Sequence, residues 1–100
     1  MSLKQQLLAN RFAHRLRSES EIDGAEWTEL RGGLHELAKD WNTRSDVDKQ
    51  LAGWLVHILL TTIGALETFE REGATELHDE LSAKLNELYA IVDDLFTDAT

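Results

Sequence analysis

The chain contains no cysteine and no proline, and these two absences exclude several classes of protein. Without cysteine it forms no disulfide and no thiolate metal site, which fits a reducing, cytoplasmic location. Without proline, and with only six glycines, little in its 100 residues interrupts a helix. The abundance of Leu, Ala, Glu and Lys therefore predicts an all-α protein. The length predicts a single helical domain over residues 1–100.

Positive charge is also scarce, since ten basic residues face 19 acidic ones and the net charge is −9. The imbalance is uneven along the chain. Residues 1–17 carry four basic and no acidic residues, whereas residues 67–100 carry ten acidic and two basic ones. Such a surface repels nucleic acid and anionic membranes. It predicts a basic protein as the partner.

Capping signals predict the first two helices. Ser2 and Gln5 resemble a capping box that starts a helix over about residues 3–18. Asp23 is placed to cap a second helix that ends near Asn42. Its apolar residues repeat at alternating intervals of three and four, the spacing of a coiled-coil seam: Trp27, Leu30, Leu34, Leu37 and Trp41.

Two longer helices follow. Ser45 and Gly73 bound a third helix over about residues 46–72, and Thr75 begins a fourth. The fourth helix has a seam of its own: Leu81, Leu85, Leu88, Val92 and Leu95. Because the connections are short, consecutive helices are expected to run antiparallel. The prediction is an antiparallel four-helix bundle with the third helix at its centre.

The third helix contains an uncharged run, Leu51–Leu66, broken only by the titratable His57. A helix that is apolar around most of its circumference has to be enclosed. The run is shorter than the span of about 20 residues that crosses a membrane, so we expect no membrane contact. We predict a homodimer, with self-association through the side of this helix that carries small residues and one histidine: Gly53, His57, Thr61 and Gly64. The alternative is a monomer in which the other helices enclose it.

Two smaller features concern the first two helices. Gly32 and Gly33 lie in the middle of the second helix, where they indicate a kink or the close approach of another helix. Leu3 and Leu7 lie almost opposite the other apolar residues of the first helix. They either fray with the terminus or meet a partner.

Catalytic and metal-binding patterns are weak. The four histidines fall one per helix and lack the spacing to acids or to each other that metal sites use, so we predict no metal and no cofactor. Carboxylate pairs at i,i+3 leave one enzyme alternative, a magnesium-dependent all-α nucleotide pyrophosphohydrolase: Glu26 with Glu29, Glu67 with Glu70, and Glu76 with Asp79. The last two pairs are closer in sequence than that family requires. We therefore predict no catalytic residues and a protein that is not an enzyme.

A dense group of acids surrounds the predicted turn between the third and fourth helices: Glu67, Glu70, Glu72, Glu76, Asp79 and Glu80. These residues are the predicted partner-binding site. The predicted function is that of a small, non-catalytic interaction module, an inhibitor or adaptor that engages a basic protein surface. One alternative is an inhibitor of a phage or mobile element, similar in size and composition to anti-CRISPR proteins, that mimics nucleic acid. Another is a structural subunit that exposes an apolar patch such as Leu3 and Leu7 when alone.

The position of His57 yields a first testable prediction. If this imidazole lies in a self-association interface, its protonation places a charge there and weakens the assembly. Sedimentation of the protein from about pH 8 to about pH 5 measures this, with dissociation expected as the pH falls. An assembly state that is constant over this range would contradict the placement of His57.

Overall fold

The computed structural model describes residues 2–41 and 48–96. Within these ranges the chain is all-α and has no strand, which confirms the predicted class. The predicted boundary residues Asn42 and Ser45 lie outside the described residues. The helices are α1 (Leu3–Leu8), α2 (Phe12–Glu19), α3 (Gly24–Trp41), α4 (Lys49–Glu72) and α5 (Thr75–Phe96).

The prediction of one continuous first helix is wrong, because the chain forms two helices that are separated at residues 9–11. The Asn10 carboxamide oxygen accepts a hydrogen bond from the Phe12 backbone N–H at 3.0 Å, and its nitrogen donates to the Glu26 carbonyl at 2.9 Å. The Arg11 N–H donates to the Glu26 carboxylate at 3.0 Å. A side chain that binds nearby backbone competes with the helix. The break lets α1 pack on α3 while α2 packs chiefly on α4.

Gly33 marks a close helix approach. The Leu7 Cδ2 atom lies 2.7 Å from the position that a Cβ on Gly33 would occupy. Helix α3 continues through this point, so the glycine accommodates α1 and does not end the helix. Leu7 is 2% exposed and Leu3 is half-buried. The apolar patch predicted at Leu3 and Leu7 for a structural subunit is therefore not exposed.

The core is built from the predicted seams. All five seam residues of α3 are buried, as are four of the five in α5. In α5, Ile91 is buried where Val92 was predicted, and Val92 packs at the edge of the core. The Phe12 and Trp27 rings lie 5.2 Å apart and join α2 to α3. The period of the apolar residues thus identified the buried faces of both helices.

Helix α4 begins at Lys49, about three residues later than predicted, because Asp48 caps it. The Asp48 carboxylate accepts hydrogen bonds from the N–H groups of Gln50 and Leu51 at 2.9 and 3.2 Å. At the other end, Gly73 takes a left-handed conformation with φ of 72°. The helix packs against α1, α2 and α5 but is not enclosed by them. The predicted central position is therefore only partly realised.

The apolar character of α4 exceeds what the core uses. Only 22% of its most apolar 18-residue window is buried inside the chain, and the mean hydropathy of that window is 1.4. By length and composition, α4 is the one helix among the described residues that could cross a membrane. The core helices of soluble proteins pass the same test, but they are mostly buried, and this one is not.

Asp48 provides a prediction about acid stability. The hydrogen bond from Lys4, at 2.9 Å, and the hydrogen bond from the Leu51 N–H lower the pKa of this carboxyl below its ordinary 3.8. Its charge therefore stabilises the fold above pH 3.8, and this contribution is lost as the pH falls through the lowered pKa. Asp48→Asn keeps a capping side chain but removes the charge. We expect it to lower the free energy of unfolding at neutral pH and to match wild type in strong acid. A deficit that is independent of pH would contradict this.

The two adjacent glycines of α3 provide a matched pair. No described atom lies within 4 Å of a Cβ placed on Gly32, so Gly32→Ala should raise the free energy of unfolding by about 1 kcal/mol. Gly33→Ala should gain less, because Leu7 must first move away. Denaturant unfolding of both variants measures the difference. Equal gains would show that α1 is not held against Gly33.

Candidate functional site

The turn between α4 and α5 is short and well defined. The Gly73 N–H donates to the Glu70 carbonyl at 3.2 Å, and the Ala74 N–H donates to the Phe69 carbonyl at 2.9 Å. Helix α5 then begins at Thr75, and α4 and α5 make the most extensive helix contact. The turn thus holds the last turns of α4 beside the first turns of α5. We call the six predicted acids on these turns the acidic turn: Glu67, Glu70, Glu72, Glu76, Asp79 and Glu80.

All six side chains of the acidic turn are exposed. Glu76 lies in the first turn of α5, where the helix dipole favours negative charge. Glu70 and Glu72 lie in the last turn of α4, where the dipole disfavours it. Helix stability therefore does not account for the whole cluster.

Most of the acidic turn is unpaired. Within the described residues, Asp79 alone of the six has an ion pair, with His78 Nδ1 at 3.6 Å. Five carboxylates elsewhere among the described residues have a neighbouring cation, whereas Glu29, Glu36 and Asp94 also lack an ion pair. The pairs are Lys4–Asp48 at 2.9 Å, Arg31–Glu87 at 3.3 Å, and Arg15 with Glu19, Glu21 and Asp23 at 3.8, 3.7 and 3.3 Å. The acidic turn is consequently a concentrated negative surface.

A second surface lies on α4 itself. Five exposed residues follow one another along one side of this helix, and we call them the open face: Gly53, Val56, His57, Leu60 and Gly64. Val56 is 55% exposed and Leu60 is 63% exposed. No atom of the described residues lies within 4 Å of a Cβ placed on either glycine. The described residues thus give no packing reason for these glycines, each of which costs about 1 kcal/mol in a helix.

The structure groups most of the predicted self-association residues. Gly53, His57 and Gly64 share the open face, and Thr61 is half-buried at its edge. Val56 and Leu60 were not predicted to lie on this surface. Their i,i+4 spacing between the two glycines was the available signal, because residues at that spacing share one side of a helix. A groove of about 440 Å³ between α2 and α4 continues from this face. Its walls include Leu16, Arg17, Ser20, Leu60, Thr61 and Gly64.

One member of the carboxylate pair of α3, Glu26, has a structural role. Glu26 accepts a hydrogen bond from the Arg11 N–H and so holds the connection between α1 and α2. Glu26 and Glu29 also line a groove of about 540 Å³ between α1 and α3. Over residues 2–41 and 48–96, no group of three or more His, Asp or Glu side chains is placed to hold a metal ion. His14, His35 and His57 are exposed on separate helices.

Comparisons with protein-family models, with curated proteins and with solved structures found no match to this chain. A functional assignment therefore depends on the chemistry of the two surfaces described above. One is charged and lies at the α4–α5 turn, and the other is apolar and lies along α4.

Proposed function

We propose that this protein is a non-catalytic interaction module, an inhibitor or adaptor that binds a basic protein surface through the acidic turn. The observation that carries the proposal is the pairing pattern of the carboxylates. Five exposed acids clustered at one turn have no ion pair within the described residues, whereas five acids elsewhere have a basic partner and the other unpaired ones, such as Glu29 and Glu36, lie outside this cluster. Unneutralised charge at one place attracts an oppositely charged partner and accelerates its association.

The scaffold suits this role. The acids project from two helices whose seams are buried in one core, so their spacing is held by packing. A rigid array loses little conformational entropy on binding. Repeated negative charge on a rigid helix pair can also occupy a groove built for nucleic acid. The specific form of the proposal is thus an inhibitor that competes with nucleic acid, in the cytoplasm.

The second candidate is a structural subunit of a larger complex. The open face of α4 supports it, because Val56 and Leu60 are the kind of exposed apolar residues that a permanent partner covers. The two candidates differ in salt dependence. Charge pairing weakens as salt is added, whereas apolar contacts persist.

The acidic turn is tested by reversing two of its charges. Glu70→Lys together with Glu76→Lys should cost about 1 kcal/mol per reversal and raise the partner Kd about 30-fold. The matched control is Glu29→Lys with Glu36→Lys, which alters net charge equally at exposed sites of α3. Captures from nuclease-treated extract are compared for wild type and both variants, at about 50 and 500 mM salt.

The expected outcome is one basic protein in stoichiometric amount, lost with the acidic-turn variant and at high salt but retained with the α3 control. Purified nucleic acid that competes with the chain for this protein would support mimicry. A partner that binds the acidic-turn variant as well as wild type, or that resists high salt, would contradict the electrostatic mechanism. Resistance to high salt would favour the structural subunit.

A further inference from the structure

We propose that the open face of α4 binds the same face of a second copy of this chain. The two α4 helices run antiparallel, about a two-fold axis that passes between Ile58 and Leu59. The inference begins with Val56 and Leu60, which are 55% and 63% exposed on a helix whose other sides pack against α1, α2 and α5. An exposed apolar strip on a single chain favours association.

The two glycines are equally distant from this axis. In an antiparallel pair, residues at equal distances on either side of the two-fold axis lie at the same height. Gly53 therefore faces Gly64 of the second copy, and this contact occurs twice. Neither glycine has a described atom within 4 Å of its Cβ position, so both sites are open for the approach of a second helix backbone.

The same register also brings chemically similar side chains of the two copies together on each flank of the glycines. At 3.6 residues per turn, Val56 and Leu60 lie on one flank, whereas His57 and Thr61 lie on the other. A two-fold axis keeps each flank together, so Val56 packs beside Leu60 of the second copy. His57 lies beside Thr61 of the second copy, whose hydroxyl is a partner for the imidazole. Apolar groups thus meet apolar groups and polar groups meet polar ones.

Charge complementarity at the helix ends supports the antiparallel orientation. Lys49 and Glu67 are both exposed, and they lie on the same flank of α4 as Val56 and Leu60. In the antiparallel register, Lys49 of one copy lies beside Glu67 of the other at both ends. In a parallel pair, Lys49 and Glu67 of the two copies would be separated by 18 residues along the helices, about 27 Å, and could not pair. Opposite charges at the ends of an apolar seam select partner and orientation.

A lipid bilayer is the other apolar environment that could cover this face, but α4 fits it poorly. The uncharged run, Leu51–Leu66, extends about 24 Å at 1.5 Å per residue, whereas the hydrocarbon core is about 30 Å thick. The acidic turn follows that run directly. In the antiparallel pair, by contrast, the two acidic turns lie at opposite ends, and of their six acids only Glu67 takes part in the contact. The acidic-turn variant changes Glu70 and Glu76, so it tests the basic partner separately from this proposal.

Sedimentation equilibrium of the purified chain at micromolar to millimolar concentration is the primary test. We expect wild type to form a reversible dimer. Gly53→Leu places a bulky side chain in the contact and should raise the dimer dissociation constant at least about tenfold. Gly32→Leu, at an exposed α3 glycine that also has open space, is the matched control and should dimerise as wild type does. Circular dichroism confirms that both variants fold.

A charge exchange tests the register and does not depend on the glycine variants. Lys49→Glu or Glu67→Lys alone places like charges together at both ends and should weaken dimerisation about fivefold or more. The double variant restores opposite charges across the interface and should recover most of the lost affinity. Recovery would support the antiparallel register, because in a parallel pair positions 49 and 67 of the two copies lie about 27 Å apart and the double variant has no opposite charge to restore.

Three results would overturn the proposal. The first is a wild type that remains monomeric at millimolar concentration, and the second is equal dimerisation of Gly53→Leu and wild type. The third is binding of monomeric wild type to neutral phosphatidylcholine vesicles, which would assign the open face to a membrane. Because these assays contain no basic partner, their outcome is separate from that of the acidic-turn experiment.

Discussion

The feature on which the other properties of this molecule depend is the excess of apolar surface on α4. Helix α4 has 24 residues, about 36 Å, and its most apolar window is 22% buried by the chain. Helices α1, α2 and α5 contact it, and their own seams are already committed to the same core. A chain of 100 residues has limited means to cover a helix of this length completely. The uncovered remainder is the open face, so a core helix also forms part of the surface.

The part of α4 that is covered by α1 and α2 depends on the break between these two helices. Asn10 and Glu26 hold the chain where α1 ends and α2 begins. An unbroken helix could not place its first part on α3 and its second part along α4 at the same time. Gly33 then lets Leu7 lie close against α3. The hydrogen bonds of Asn10 and the absence of a Cβ at Gly33 thus determine which helices α1 and α2 pack against.

The two exposed surfaces differ in their physics and occupy different parts of α4. The acidic turn acts through charge, so its interactions extend over about a Debye length and weaken with salt. The open face acts through excluded water and close packing, which require contact and tolerate salt. A protein with both surfaces can assemble through one and bind a partner through the other. The proposed pair carries its two acidic turns about 44 Å apart, measured between the Gly73 residues along α4.

The sequence by itself determined the helical class, the seams of α3 and α5, the Gly73 turn and the exposed acids around it. Local rules decide these features, since caps, glycines and apolar periods act within a few residues of each other. Only the tertiary structure revealed the break at Asn10, because the backbone of a distant residue, Glu26, takes part in it. It also decided which side of α4 remains open. The exposure of Val56 and Leu60 depends on where α1, α2 and α5 pack against α4. The spacing of apolar residues within α4 does not indicate those positions.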